Sequence, residues 1–317
     1  MSRVLLFGAG GFLGRHIHGA LASHSMVLAP DRGECDLVGI ELSALVALLR
    51  REKPDAVVTA AGRISGSGYD FVQAHVATTA KLIEAVAAGA PQARLVRIGS
   101  AAEYGAVPHG SAVTEDYPAS PVGEYGLSHL TATRLAQLAG ESARVDTVVL
   151  RVFNPVGPGL PAGNVLGRAA TLIRTALARG EERVSLGLLG TYRDFVDVRD
   201  VADAVVAAIR SGPLAERIFN VGSGRAVATR EAIGRLAEVA GFTGEVGDGS
   251  LAPDADRSAA VSWMCADIGR SARALGWAPR RTLTESLMAL WQETAAGRPT
   301  PELVPQIRGT GMNVQRS

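Results

Sequence analysis

A chain of 317 residues can bury one large domain or two fused lobes, and 47% apolar with 20% charged residues is the composition of a globular protein. A formal net charge of +1 excludes the electrostatic footprint of a nucleic-acid or anionic-membrane binder, so any anionic ligand must be held by a few placed groups. Two cysteines, Cys35 and Cys265, make neither a metal spacing nor a disulfide framework, and the opening run Arg3–Phe7 is too short for a signal core or a membrane span. No later stretch reaches a spanning length free of charge, so the expectation is a soluble, cytoplasmic protein with reduced thiols.

In chain order, a short apolar strand at Val4–Phe7 precedes a helix at Gly14–Ala22, then a strand at Val27–Ala29 and a helix at Leu42–Arg51. A third strand at Ala56–Thr59, a long helix at Phe71–Ala88, a fourth strand at Leu95–Ile98, a helix at Glu124–Gly140 and a strand at Thr147–Val152 continue the alternation. Short apolar strands alternating with amphipathic helices predict a parallel sheet covered on both faces. After Asn154 the turn-rich Pro155-Val-Gly-Pro-Gly-Leu-Pro161 breaks the pattern. Helices at Val165–Ala178, Val198–Ile209 and Thr229–Ala240, with short strands such as Arg217–Val221, then predict a smaller lobe interleaved with the first. The boundaries follow as 1–154 with 195–213 for the dinucleotide-binding domain and 155–194 with 214–299 for the smaller lobe. The polar tail, 300–317, is expected on the surface with no assigned role.

Gly8-Ala-Gly-Gly-Phe-Leu-Gly14 follows the first strand and opens the first helix. Gly8, Gly11 and Gly14 have the spacing that permits a tight turn, close approach of a pyrophosphate and close helix–sheet packing, with the phosphates on free N–H groups of a helix N-terminus. The second strand ends in Asp31-Arg32. An acid there suits the ribose hydroxyls of NAD and an arginine the 2′-phosphate of NADP, so the residues leave NAD or NADP open, with a slight lean to NADP. Asp36-Leu37 is placed to meet the adenine or to be an exposed loop.

Ser100, in Ile98-Gly-Ser-Ala-Ala-Glu-Tyr-Gly105, sits at a strand's C-terminal end, where open α/β sheets bind ligands. Tyr125 and His129, in Pro121-Val-Gly-Glu-Tyr-Gly-Leu-Ser-His129, share one face of a helix. A tyrosine with a basic partner one turn on is a proton donor to a carbonyl, and a serine hydroxyl can hold the same oxygen. Glu103 is a further substrate-orienting candidate. His16, His18, His24 and His109 lack ligand spacing, and no metal is expected.

These segments resemble the extended short-chain dehydrogenase/reductases that act on nucleotide sugars, from the glycine turn to about Ser286. The resemblance implies a Rossmann-type doubly wound parallel α/β sheet with a smaller α/β substrate-binding lobe. It places Phe12, Leu13, Ala60, Ala61 and His75 beside the cofactor, the last where the family usually carries an asparagine. The family motif is Tyr-x-x-x-Lys, and here His129 replaces the lysine. A fixed charge about 4 Å away at an effective dielectric near 20 is worth roughly 4 kcal/mol, or about three pKa units. A histidine is largely neutral at pH 7 unless an anion raises it, so Tyr125 suits proton donation in a reduction better than base catalysis.

The resemblance also implies a diphosphate clamp in the smaller lobe, from Asn154 in Leu150-Arg-Val-Phe-Asn-Pro155, Arg193 in Tyr192-Arg-Asp-Phe-Val-Asp-Val198, and Arg257 ten positions before Asp267. The pattern is most like reductases of 4-keto-6-deoxy nucleotide sugars. Dehydratases of the family carry Asp-Glu where this chain has Ala101-Ala102, which argues against elimination. The expected reaction is therefore NAD(P)H-dependent reduction of a nucleotide-diphosphate sugar at C4, in a homodimer formed through the helices starting near Phe71 and Glu124. The rivals are an epimerase, a ketoreductase of a non-sugar metabolite, and a cofactor-binding relative without turnover.

Overall fold

The computed structural model describes residues 2–187, 189–249 and 261–295. Strand β1 (Ser2–Phe7) leads to α1 (Phe12–Ala22), β2 (Ser25–Leu28), α2 (Leu42–Glu52) and β3 (Ala56–Thr59). One long helix then runs through α3 (Gly68–Phe71), a π-helical segment (Val72–Ala77) and α4 (Thr78–Gly89). Next come β4 (Arg94–Ser100), a 3₁₀ turn (Ala101–Glu103), α5 (Glu124–Glu141), β5 (Thr147–Val152), β6 (Asn154–Val156), α6 (Val165–Arg179), β7 (Arg183–Leu186) and β8 (Tyr192–Asp197). The chain continues through α7 (Val198–Arg210), β9 (Ile218–Val221), β10 (Ala226–Ala228), α8 (Thr229–Ala240), β11 (Glu245–Asp248), α9 (Gly269–Leu275) and α10 (Leu283–Ala295).

Six strands form one parallel sheet in the order β2-β1-β3-β4-β5-β9. Side chains alternate across it, as a period of two requires. Val4 and Leu6 pack with Ile17 of α1 and Val201 and Val205 of α7, while Leu5 and Phe7 pack with Leu45 of α2 and Leu82 and Val86 of α4. The sheet order turns back between β1 and β3, so a ligand crevice opens at their carboxyl ends.

The smaller lobe holds the β10-β8-β6 sheet and the β11-β7 pair, covered by α6, α8 and α10 around Ile173, Phe195, Leu236, Leu287 and Leu290. Two expected boundaries move. Ile218–Val221, expected in the smaller lobe, pairs in register with β5 as the last strand of the large sheet. All six residues of β5 are buried, so its second edge needs a partner for its N–H and C=O groups. Tyr192–Asp197 in turn lies wholly in the smaller sheet, between β6 and β10. Among the described residues no helix is long and apolar enough to cross a membrane. Nor does any group of three or more His, Cys, Asp or Glu residues among them have the arrangement of a metal site.

Candidate active site

The glycine turn is shaped by contacts that only glycine allows. Gly8 has φ +83°, and a Cβ on it would lie 2.6 Å from the amide nitrogen of Ala61. A Cβ on Gly14 would overlap the Gly8 carbonyl oxygen. Gly11 caps α1 without a side-chain cap, and its N–H bonds Gly8 O at 3.1 Å. The remaining first-turn N–H groups of α1 are thus left for an anion. Phe12 turns to the smaller lobe's core and Leu13 to the large sheet, so each offers the crevice its main chain. Ala60, whose N–H bonds Phe7 O, and Ala61 form the opposite lip, and this cradle fits a dinucleotide pyrophosphate.

After β2, Asp31 and Glu34 bond reciprocally, each backbone N–H donating to the other's carboxylate at 3.0 and 2.9 Å. Arg32 is largely exposed and lies 4.0 Å from Asp36. Leu37 does not present its side chain to the crevice: it is buried beneath α2 and α4, and its carbonyl accepts from Lys81 Nζ at 3.0 Å. Apolar burial outweighs the contact expected of it, leaving only its main chain for a cofactor.

Ser100 and Tyr125 meet. Ser100 ends β4 and Tyr125 stands in the first turn of α5, near enough for the Ser100 hydroxyl to act on the ionisation of the phenol. The Ser100 hydroxyl also accepts from the N–H of Ala102 at 3.2 Å, which fixes its direction. Burial pushes the Tyr125 phenol above its ordinary value, and the Ser100 hydroxyl and the charge of Arg97 oppose that rise. The His129 ring lies 4.6 Å from the Tyr125 ring. Burial, Arg97 and His75 hold His129 far below the usual histidine range, so it is neutral.

Two expectations are corrected here. Glu103 does not face substrate. It is fully buried, accepts from the Ser100 N–H at 3.0 Å and the Thr133 hydroxyl at 2.9 Å, and pairs with Arg151 at 2.8 Å. A buried carboxylate keeps its charge only with such partners, so its role is to hold the strand end that carries Ser100. His75 is likewise committed inside the protein. Its Nε2 accepts from the Arg63 N–H at 3.2 Å, so its Nδ1–H must donate to Ser128 Oγ at 2.9 Å, and Ser128 donates in turn to Tyr125 O at 2.8 Å. The π-helical turn brings the His75 ring to 4.1 Å from that of His129, and the hydroxyls of Thr78 and Thr79 return bonds to the carbonyls of Ala74 and His75. Both ring nitrogens being used, His75 has no bond to give a cofactor, and burial lowers its pKa to about 4.

Two residues expected in the clamp stand on neighbouring strands of the smaller sheet. Asn154 Nδ2 donates to Asp194 O at 3.0 Å, joining β6 to β8. Arg193 is buried, donates to Tyr192 O at 2.8 Å, and is pulled down to about 10 by desolvation. Asp194 accepts from Ser223, Gly224 and Ala266, and so fixes this strand from the other side. Asn154 is therefore spent partly on tying strands together, and Arg257, the third member, lies outside the described residues, as does the tail.

Arg97 was missed. It stands on β4, 3% exposed, with Nη2 at 3.1 Å from Nδ1 of His129. An arginine inside an apolar strand of a central parallel sheet was the available signal, because such a charge needs buried partners.

Comparison with known proteins shows the family. The family described as "NAD dependent epimerase/dehydratase family" matches residues 4–222. A dTDP-6-deoxy-L-talose 4-dehydrogenase (NAD(P)(+)) of Kitasatospora kifunensis is 41% identical, over 93% of this chain and 96% of its own. A GDP-6-deoxy-D-mannose reductase of Pseudomonas aeruginosa is 30% identical, over 91% and 95%. The solved structure of RMD from Pseudomonas aeruginosa complexed with NADPH superposes with a TM-score of 0.82 at 27% identity, covering 93% of this chain and all of that one. With a glycine cradle, Ser100 and Tyr125 placed close together and these likenesses over nearly its full length, the chain belongs to the NAD-dependent epimerase/dehydratase family of extended short-chain dehydrogenase/reductases, as a nucleotide-sugar-modifying, nicotinamide-dependent member.

Proposed function

We propose that the protein reduces the C4 keto group of a nucleotide-linked 4-keto-6-deoxy sugar. The placement of Ser100 at the end of β4 and Tyr125 at the start of α5, close enough for the Ser100 hydroxyl to act on the phenol, together with the cradle of Gly8 and Gly14, carries this reading. Bound there, reduced NADP, or NAD as the second choice, supplies a hydride. Ser100 polarises the sugar oxygen and Tyr125 gives it a proton; burial favours the protonated phenol, which suits an acid in a reduction. Ala101 and Ala102 offer no carboxylate for elimination.

Arg32, exposed beside the adenosine end, supports the preference for NADP. Asn154, Arg193 and Arg257 would hold the sugar diphosphate, and the likeness to the Kitasatospora kifunensis enzyme favours a thymidine nucleotide over guanosine. The active form is a cytoplasmic homodimer joined through α4 and α5, where Leu127 and Leu138 stand exposed.

The test is NADPH and NADH oxidation with a panel of dTDP- and GDP-linked 4-keto-6-deoxy sugars, with Tyr125→Phe as control. Turnover with one of them that Tyr125→Phe abolishes establishes the reductase. Exchange at C4 without net cofactor consumption assigns the protein to the epimerases instead.

A further inference from the structure

Beside Tyr125, each proton of the buried hydrogen bonds that run out from Arg97 has one allowed position. Thr79 Oγ1 gives its hydrogen to His75 O at 2.6 Å and accepts from Arg97 Nε at 3.1 Å. Thr133 Oγ1 gives its hydrogen to Glu103 Oε1 at 2.9 Å and accepts from Arg97 Nη1 at 3.2 Å. A guanidinium has no lone pair to offer, so across the 3.1 Å from Arg97 Nη2 the Nδ1 of His129 must be the acceptor. His129 is therefore the tautomer protonated on Nε2, and no described residue accepts that hydrogen.

The same cluster carries surplus charge. The buried ionic groups are Arg97 on β4, Arg151 on β5 and Glu103 on the 3₁₀ turn. Glu103 Oε2 pairs with Arg151 Nε at 2.8 Å, and the Thr133 hydroxyl stands between Glu103 Oε1 and Arg97. The other titratable groups facing Arg97 and Tyr125 are His75 from the π-helical segment and His129 from α5. Each accepts an N–H at one ring nitrogen and is neutral. Behind Arg151, Tyr104 is bonded to Asn220, and the Glu115 carboxylate lies 3.5 Å from Arg270. Two guanidiniums and one carboxylate leave one positive charge, and it belongs to Arg97.

We propose that Arg97 is the positioning residue of this active site: its guanidinium fixes His129 as an Nε2–H donor and stabilises the Tyr125 phenolate left when the proton goes to the sugar oxygen. The charge a basic residue one turn after Tyr125 was expected to supply thus comes from the strand below, while His129 supplies only a directed N–H. The catalytic consequence rests on the reductase reading, but the two structural claims do not.

They are tested on the free protein, without cofactor or sugar. Nitrogen NMR of the histidine rings, with His129→Gln to assign the signal, should show His129 protonated on Nε2 and bare on Nδ1. With 3-fluorotyrosine at position 125, fluorine NMR reads the phenol's ionisation. Arg97→Met should raise its midpoint by on the order of one pH unit, and Arg97→Lys by less. In turnover, Arg97→Met should lower kcat about tenfold with little change in KM, and move the alkaline limb of the pH profile upward. A proton on Nδ1 of His129, or a phenol midpoint unmoved by Arg97→Met, overturns the proposal. If Arg97→Met does not fold, the nitrogen spectrum of the unaltered chain decides the tautomer, and the phenol midpoint of Arg97→Lys, unmoved, overturns the second claim. Absence of turnover on every keto sugar with both spectra as expected would remove the reductase reading and leave the role of Arg97 standing.

Discussion

Glu103 and Arg151 meet 2.8 Å apart with neither side chain in water, 48 residues apart in the chain. Arg151 also lies 4.5 Å from the centre of the Tyr104 ring, so it is packed as well as paired. Glu103→Gln leaves that guanidinium uncompensated and should lower stability by about 3 kcal/mol or more. Urea denaturation of the purified protein measures this. Because Glu103 also holds the Ser100 N–H, kcat should fall as well, even under conditions where the variant is fully folded.

Two glycines of α1 should respond in opposite ways. Gly14→Ala puts a methyl group into the Gly8 carbonyl, and binding of NADPH, followed by fluorescence titration, should be lost or weakened at least tenfold. A Cβ on Gly19 meets nothing within 4 Å, so Gly19→Ala should stabilise by up to about 1 kcal/mol, through helix propensity, and leave binding unchanged. Thermal denaturation distinguishes the two.

Much of the site could be read from the sequence because its information is local. The spacing of Gly8, Gly11 and Gly14, the strand end at Ser100 and the helix start at Tyr125 each lie within one turn or one element. What escaped depends on partners distant in the chain. Glu103 looked available for substrate because Arg151, which uses it up, belongs to another strand. Arg97 looked like part of a strand because the acceptors that make its burial possible come from α4 and α5. The π-helical turn at His75 has no periodic signature, and Ile218–Val221 showed a strand but not which edge it completes.

The two facing histidines should make the protein sensitive to acid. Both have folded pKa values below the ordinary 6.5, His75 at about 4. The unfolded chain therefore binds more protons than the folded one between these values. Stability should be full above about pH 6.5 and decline as the pH falls towards 4, by up to roughly 3 kcal/mol for His75 alone. Urea midpoints measured across that range check this, and His75→Asn should flatten the slope.

Leu127 and Leu138 are 55% and 62% exposed on α5, and Leu138 lines a hollow together with Ile83, Leu135, Ala139, Glu84 and Arg144. If this face joins two copies, Leu138→Glu should convert a dimer to a monomer in light scattering, since a charge buried at an apolar interface has no partner. A native protein that already elutes as a monomer would dispose of the interface.

The chain passes from the large sheet into the smaller lobe after β5, returns for α7 and β9, and leaves again at β10. Each lobe is thus sewn from separate lengths of one thread. No single cut yields the two lobes as pieces that could be expressed apart or exchanged with those of a relative. A redesign of either lobe has to come through substitutions dispersed over several segments, made while the sheet they are threaded through stays intact.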